Sequence, residues 1–149
     1  MSDSTTVLVV EDEVPIRLLV RVNLEAEGYV VQEAGDGVSA LEMIRSSVPD
    51  VVLLDVMMPG KDGWDVAQEI RADPATASLP IIFLTARADL RDRARGIDAG
   101  ALQYVTKPFN PRQLGPAIEA CITAMHNGDG EQMRAEQLRL IRELQNQPE

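Results

Sequence analysis

Strand-like apolar runs recur along this chain, and four of them lead directly into side chains that can do polar chemistry. Residues 7–10 (Val-Leu-Val-Val) run into Glu11-Asp12, residues 51–54 (Val-Val-Leu-Leu) into Asp55, and residues 81–84 (Ile-Ile-Phe-Leu) into Thr85. Residues 102–105 (Leu-Gln-Tyr-Val) precede Lys107-Pro108 by one position. Unbroken runs of this kind fit strands buried on both faces of a parallel sheet. In an open sheet of that type, ligands sit beyond the carboxyl ends of the strands, where the strand order reverses. Three carboxylates, a hydroxyl and an ammonium are therefore expected in one crevice.

Helical patterns fill the intervals. One begins near Pro15, places Ile16, Leu19, Val20 and Leu24 at helical spacing and stops at Gly28. A more amphipathic strand over residues 29–34 comes next, then a helix after Asp36-Gly37 with Ala40, Leu41, Ile44 and Val48 on one side. The turn-forming stretch Pro59-Gly60-Lys61-Asp62-Gly63 leads into a helix carrying Val66, Ala67 and Ile70. A short polar helix is expected over residues 89–98, rich in arginine (Arg91, Arg93 and Arg95, with Arg87 just before it). It reads either as a solvated face or as part of a recognition surface. A last core helix carries Leu114, Ile118, Cys121, Ile122 and Met125; with Gly115-Pro116 inside it, that helix either starts late or is kinked. Strict alternation of strand and helix predicts an α/β fold: a doubly wound, five-stranded parallel sheet of order 2-1-3-4-5, flavodoxin-like, with helices on both faces. The expected organisation is a disordered N-terminus over residues 1–5, a domain over 6–126, and a hinge with a C-terminal helical extension over 127–149. Met133, Leu140, Ile141 and Leu144 lie near one face of that tail, which must pack on the domain, pair with a second copy or await a partner.

The formal net charge is −10, which argues against direct non-specific DNA binding. No apolar run approaches the length of a membrane span, and the polar first residues do not read as a secretory signal. Cys121, the only cysteine, fits a small buried hydrophobe in a reducing compartment. A cytoplasmic protein is expected, without membrane insertion.

Glu11, Asp12 and Asp55 brought together repel one another, and a bound Mg²⁺ relieves that repulsion. The backbone carbonyl of Met57 is a candidate further oxygen ligand. A carboxylate can attack phosphorus and form an aspartyl-phosphate, and the catalytic work in such a transfer is mostly alignment and charge neutralisation. Asp55, at the end of the most apolar strand, is the expected phosphoacceptor, with Lys107 and Thr85 covering the phosphoryl oxygens.

These motifs resemble the receiver domains of two-component response regulators of the chemotaxis-regulator type. The matching residues are Val-Val-Glu11-Asp12-Glu, Leu-Leu-Asp55-Val-Met-Met-Pro59-Gly-Lys-Asp-Gly63, Leu-Thr85-Ala86 and Tyr104-Val-Thr-Lys107-Pro108-Phe109. The resemblance implies phosphorylation of Asp55 by a histidine kinase or histidine phosphotransfer protein, with Mg²⁺ held by Glu11, Asp12, Asp55 and the Met57 carbonyl. It implies that Thr85 senses the phosphate, that Lys107 pairs with it and that Lys107-Pro108 is a cis peptide. Tyr104 is then either a ring that swings inward with Thr85 or a permanently packed strand aromatic. Glu11 stands where Asp is more usual, and Met57 and Arg87 border the phosphoryl position. An apolar Met57 offers nothing to orient an attacking water, so self-hydrolysis is expected to be slow.

The expectation is a stand-alone signalling switch rather than an enzyme, one that assists only its own phosphorylation and dephosphorylation. A downstream protein is expected to bind the face formed by the fourth helical segment, the fifth strand and the following helix. A homodimer through that face or the tail is the other arrangement open to it. Two rivals differ in class: a phosphate-independent interaction module of the same shape, and an aspartyl-nucleophile Mg²⁺ phosphohydrolase. The latter usually carries its nucleophile at the first strand with a second Asp two residues on, whereas Asp12 is followed by Glu13-Val14.

Overall fold

The apolar runs pair side by side. A computed structural model describes residues 5–85, 94–95, 97–98 and 101–145. Strands β1 (Thr6–Val10), β2 (Val30–Ala34), β3 (Val51–Asp55), β4 (Ile81–Thr85) and β5 (Gln103–Thr106) form one parallel sheet of order β2-β1-β3-β4-β5. Among the described residues the complete helices are α1 (Val14–Ala26), α2 (Gly37–Ser46), α3 (Gly63–Ala72), α4 (Leu114–His126) and α5 (Gly130–Gln145). Ala94-Arg95 and Ile97-Asp98 are also helical. Most of the arginine-rich segment, including Arg87, Arg91 and Arg93, lies outside the described residues.

The two-residue period of the strands sends alternate side chains to opposite faces. Leu8, Val10, Val52, Leu54, Ile81 and Phe83 pack with Ala40, Ile44, Val66 and Ile70 of α2 and α3. Val7, Val9, Val51, Leu53, Ile82 and Leu84 pack with Val20 and Leu24 of α1 and with Leu114, Ile118 and Cys121 of α4. The sheet is thus covered on both faces, and its central strands carry no exposed residue before their polar ends. Burial pushes the Cys121 thiol up to about 12, leaving it an inert core group.

Local chemistry starts α2, α3 and the turn that leads into α4. Asp36 accepts a hydrogen bond from the Ser39 N–H at 2.8 Å, and Asp62 one from the Asp65 N–H at 3.0 Å, capping α2 and α3. Asn110 and Gln113 cap the 3₁₀ turn Pro111–Gln113 that runs into α4. Pro116 therefore falls in the first turn of α4, where a missing N–H costs little, which is the late start among the two readings of Gly115-Pro116. Leu140 and Leu144 stay exposed beside the buried Ile141, and in the first two helices two apolar positions depart from their expected places. Leu19 is 48% exposed, because α1 meets the sheet along the narrower line of Val20 and Leu24. Val48 is 51% exposed, because α2 ends at Ser46.

The tail resumes as a helix and packs on the domain. Hydrogen bonds from Gly128 N to Met125 O and from Asp129 N to Ala124 O close the end of α4, with Gly128 at φ +76°. α5 then buries Ile141 in the same cluster as Phe83 and Tyr104. No helix among the described residues is long and apolar enough to cross a membrane.

Candidate functional site: an acidic crevice with one lysine

Glu11 and Asp12 directly follow β1, Asp55 closes β3, and Lys107 directly follows β5, so the parallel sheet delivers all four to one end. The turn after β3 keeps them there. A Cβ on Gly63 would lie 2.4 Å from the Asp55 carbonyl oxygen, and one on Gly37 would lie 2.9 Å from that of Lys61. The glycines let α3 and α2 approach the loop that carries the acids.

Glu11 is 1% exposed and Asp55 3%, while Asp12 is half-buried. Carboxylate oxygens of the three lie within 4.8 Å of one another. The Lys107 ammonium donates to Glu11 Oε1 and, at 3.3 Å, to Asp55 Oδ2, with the exposed Glu13 carboxylate 3.7 Å away. Asp55 Oδ1 accepts from the Met57 N–H at 3.1 Å. Glu11 Oε2 is buried with no hydrogen-bond partner among the described residues. Burial and the adjoining Asp55 push the Glu11 carboxyl up to about 8, against the pull of Lys107. Burial also opposes the charge on Lys107, but its bonds to Glu11 and Asp55 outweigh it and raise its pKa.

The donor set is hard oxygen, and it includes a buried oxygen lacking a donor. Those are the properties of a Mg²⁺ site rather than a zinc site, and the residues present fit that ion. The Met57 side chain is 55% exposed beside them. The Lys107-Pro108 peptide is cis. Thr85 ends β4 opposite Thr106, and its side chain lies outside the described residues. Tyr104 is 9% exposed, its ring 6.2 Å from that of Phe83, which in turn lies 5.0 Å from Trp64. His126 closes α4 exposed and remote in sequence from every site element.

Sequence reasoning missed Arg17. Its guanidinium donates to the Glu11 carbonyl at 2.8 Å and pairs with Glu33 at 3.2 Å, tying α1 to the end of β1 and to β2. The available signal was its place one helical turn after Glu13, on the helix that leaves the site.

A model of the response regulator receiver domain matches residues 7–119. The chain belongs to that family. The phosphate regulon transcriptional regulatory protein PhoB of Pseudomonas aeruginosa is 40% identical over 126 residues, 85% of this chain and 55% of that protein. The transcriptional regulatory protein CseB of Streptomyces coelicolor is 43% identical over 132 residues, 88% of this chain and 55% of that one. The chain spans about half the length of these curated relatives. The solved chemotaxis protein CheY4 of Vibrio cholerae matches with a TM-score of 0.75 at 31% identity, covering 79% of this chain and 98% of that one. Receiver domains are signalling modules of two-component systems and bind Mg²⁺ in an acidic pocket; here the acidic cluster is Glu11, Asp12 and Asp55.

Proposed function

We propose that this receiver domain accepts a phosphoryl group on Asp55 from a histidine kinase or histidine phosphotransfer protein and thereby switches its binding to another protein, in the cytoplasm. The observation that carries this reading is the Lys107 ammonium bridging Glu11 and Asp55 within a buried acid cluster. A carboxylate oxygen of Asp55 forms the new P–O bond as the P–N bond to the donor imidazole breaks. Lys107 neutralises charge on the transferred group, and the Thr85 hydroxyl adds a hydrogen bond to it. Glu11, Asp12, Asp55 and the Met57 carbonyl would hold the Mg²⁺, which when bound supplies positive charge to the phosphoryl oxygens. Met57 presents a thioether rather than a hydrogen-bonding group at the rim, which favours a long-lived phosphoryl group. The change at Asp55 and Thr85 then biases the surface around β4, β5 and Tyr104 toward a partner.

The test is intact-mass analysis after incubation with acetyl phosphate, with and without Mg²⁺, on wild type and Asp55→Asn. A single Mg²⁺-dependent phosphoryl adduct, absent from the variant, is expected. An adduct that persists in Asp55→Asn, or none in the wild type, overturns the assignment.

A further inference from the structure

Lys107 owes its position to the shortest strand of the sheet. β5 has four residues, lies at the sheet edge and pairs with β4 alone, yet the ammonium that follows it must stand between Glu11 and Asp55. Such a strand is held by what packs on it, and part of that packing comes from α5. Ile141 is 2% exposed in the buried cluster that contains Tyr104 of β5, and Leu138 packs against the same cluster. Ile97, also in it, accepts two hydrogen bonds at its carbonyl from Arg134, at 3.0 Å from Nη2 and 3.3 Å from Nε. Arg134, Leu138 and Ile141 follow one another at steps of four and three on one face of α5, and Met133 packs against the cluster of Leu114, Ile118 and Cys121.

The seat also leaves open space beside it. The start of α5, at Gly130, Glu131 and Arg134, borders a cavity of about 880 Å³ shared with Trp64 and Arg71. Leu140 and Leu144 stay 48% and 45% exposed. A 16-residue helix is marginal by itself, so α5 is ordered mainly by its anchors.

We propose that α5 is a brace for the phosphoacceptor site: seated, it steadies β5 and so positions Lys107; released, it leaves Lys107 loosely placed and slows phosphoryl uptake at Asp55. This rests on the phosphoacceptor reading above. Lys107 is the group that touches the reaction, and Ile141 and Arg134 act through it as positioning residues.

The experiment uses the full chain with acetyl phosphate and Mg²⁺, following the adduct by intact mass and the α5 amides by hydrogen exchange. Ile141→Asp is expected to lose α5 protection and to take up phosphate roughly tenfold to a hundredfold more slowly, the upper end being the scale of a catalytic group misplaced by about 1 Å. Arg134→Gln, which leaves the core untouched, is expected to shift both readouts the same way by less, and it serves if Ile141→Asp fails to fold. Leu140→Asp, at a half-exposed position outside both buried clusters, is expected to match wild type. In a Lys107→Ala background Ile141→Asp is expected to add no further slowing. Normal uptake by a variant with unprotected α5 overturns the brace alone, as does full additivity with Lys107→Ala. Absence of any wild-type adduct overturns the phosphoacceptor reading and the brace with it.

Discussion

In the metal-free protein the Glu11 carboxyl keeps its proton up to about pH 8, because it is buried against Asp55 with one ammonium shared between them. In the unfolded chain the same group ionises near 4.5. The folded state therefore binds more protons between those values, so this group's contribution is complete below about 4.5 and is lost as pH rises through about 8. Urea unfolding in EDTA is expected to show wild type losing stability relative to Glu11→Gln across that window, and saturating Mg²⁺ is expected to remove the difference. Gly63 imposes a second constraint at this scale. A methyl group there would meet the Asp55 carbonyl oxygen at 2.4 Å and the Val56 Cα at 2.7 Å, both parts of the backbone. Gly63→Ala is expected to cost about 1–3 kcal/mol in urea unfolding, the usual range for overpacking. It is also expected to slow phosphoryl uptake, because the strand end that must yield is the one carrying Asp55.

At the scale of the element, α1 carries two apolar stripes. Ile16, Val20 and Leu24 turn toward the sheet, while Val14, Leu18 and Val22 repeat every four residues on the other side, each more than half exposed. Val14 adjoins Glu13, which reaches the site lysine, so the outer stripe runs from the acidic crevice down the helix. Leu18→Asp with Val22→Asp is expected to slow transfer from a protein phosphodonor at least tenfold, consistent with loss of interface anchors, while uptake from acetyl phosphate stays at the wild-type rate. Single-turnover transfer measured against both donors checks this. The same helix shows where the sequence was readable and where it was not. β1, β3 and β4 were legible because a strand buried on both faces needs an unbroken apolar run, and the ends of the first two located Glu11, Asp12 and Asp55; β5, partly buried and with Gln103 in it, leads to Lys107. The buried face of α1 was not legible, since apolar residues on both stripes satisfy a helical period. Leu19, assigned to the core by spacing, lies between the two.

For the whole molecule, a net charge of −10 makes any cation stabilising by screening alone. The acidic crevice is separable from that background by comparing salts. At matched ionic strength, Mg²⁺ is expected to raise the unfolding midpoint of wild type above the value in KCl, and Asp12→Asn is expected to shrink that excess; calorimetric scans in the two salts decide it. The strand order was readable from alternation and connection rules, but the seat of α5 was not. Ile141 joins the cluster that holds Ile97, Ala101 and Tyr104 only once the chain is folded, and nothing local in residues 130–145 marks which apolar residue turns inward. One further consequence belongs to light rather than to force. The chain has five aromatic rings, and three of them, Trp64, Phe83 and Tyr104, stand in a row across one sheet face, with the Arg95 guanidinium 4.7 Å above the indole. With a single tryptophan, red-edge emission comes from that row alone and phenol-to-indole energy transfer runs along it, so the unlabelled protein carries its own optical gauge of any rearrangement at β5.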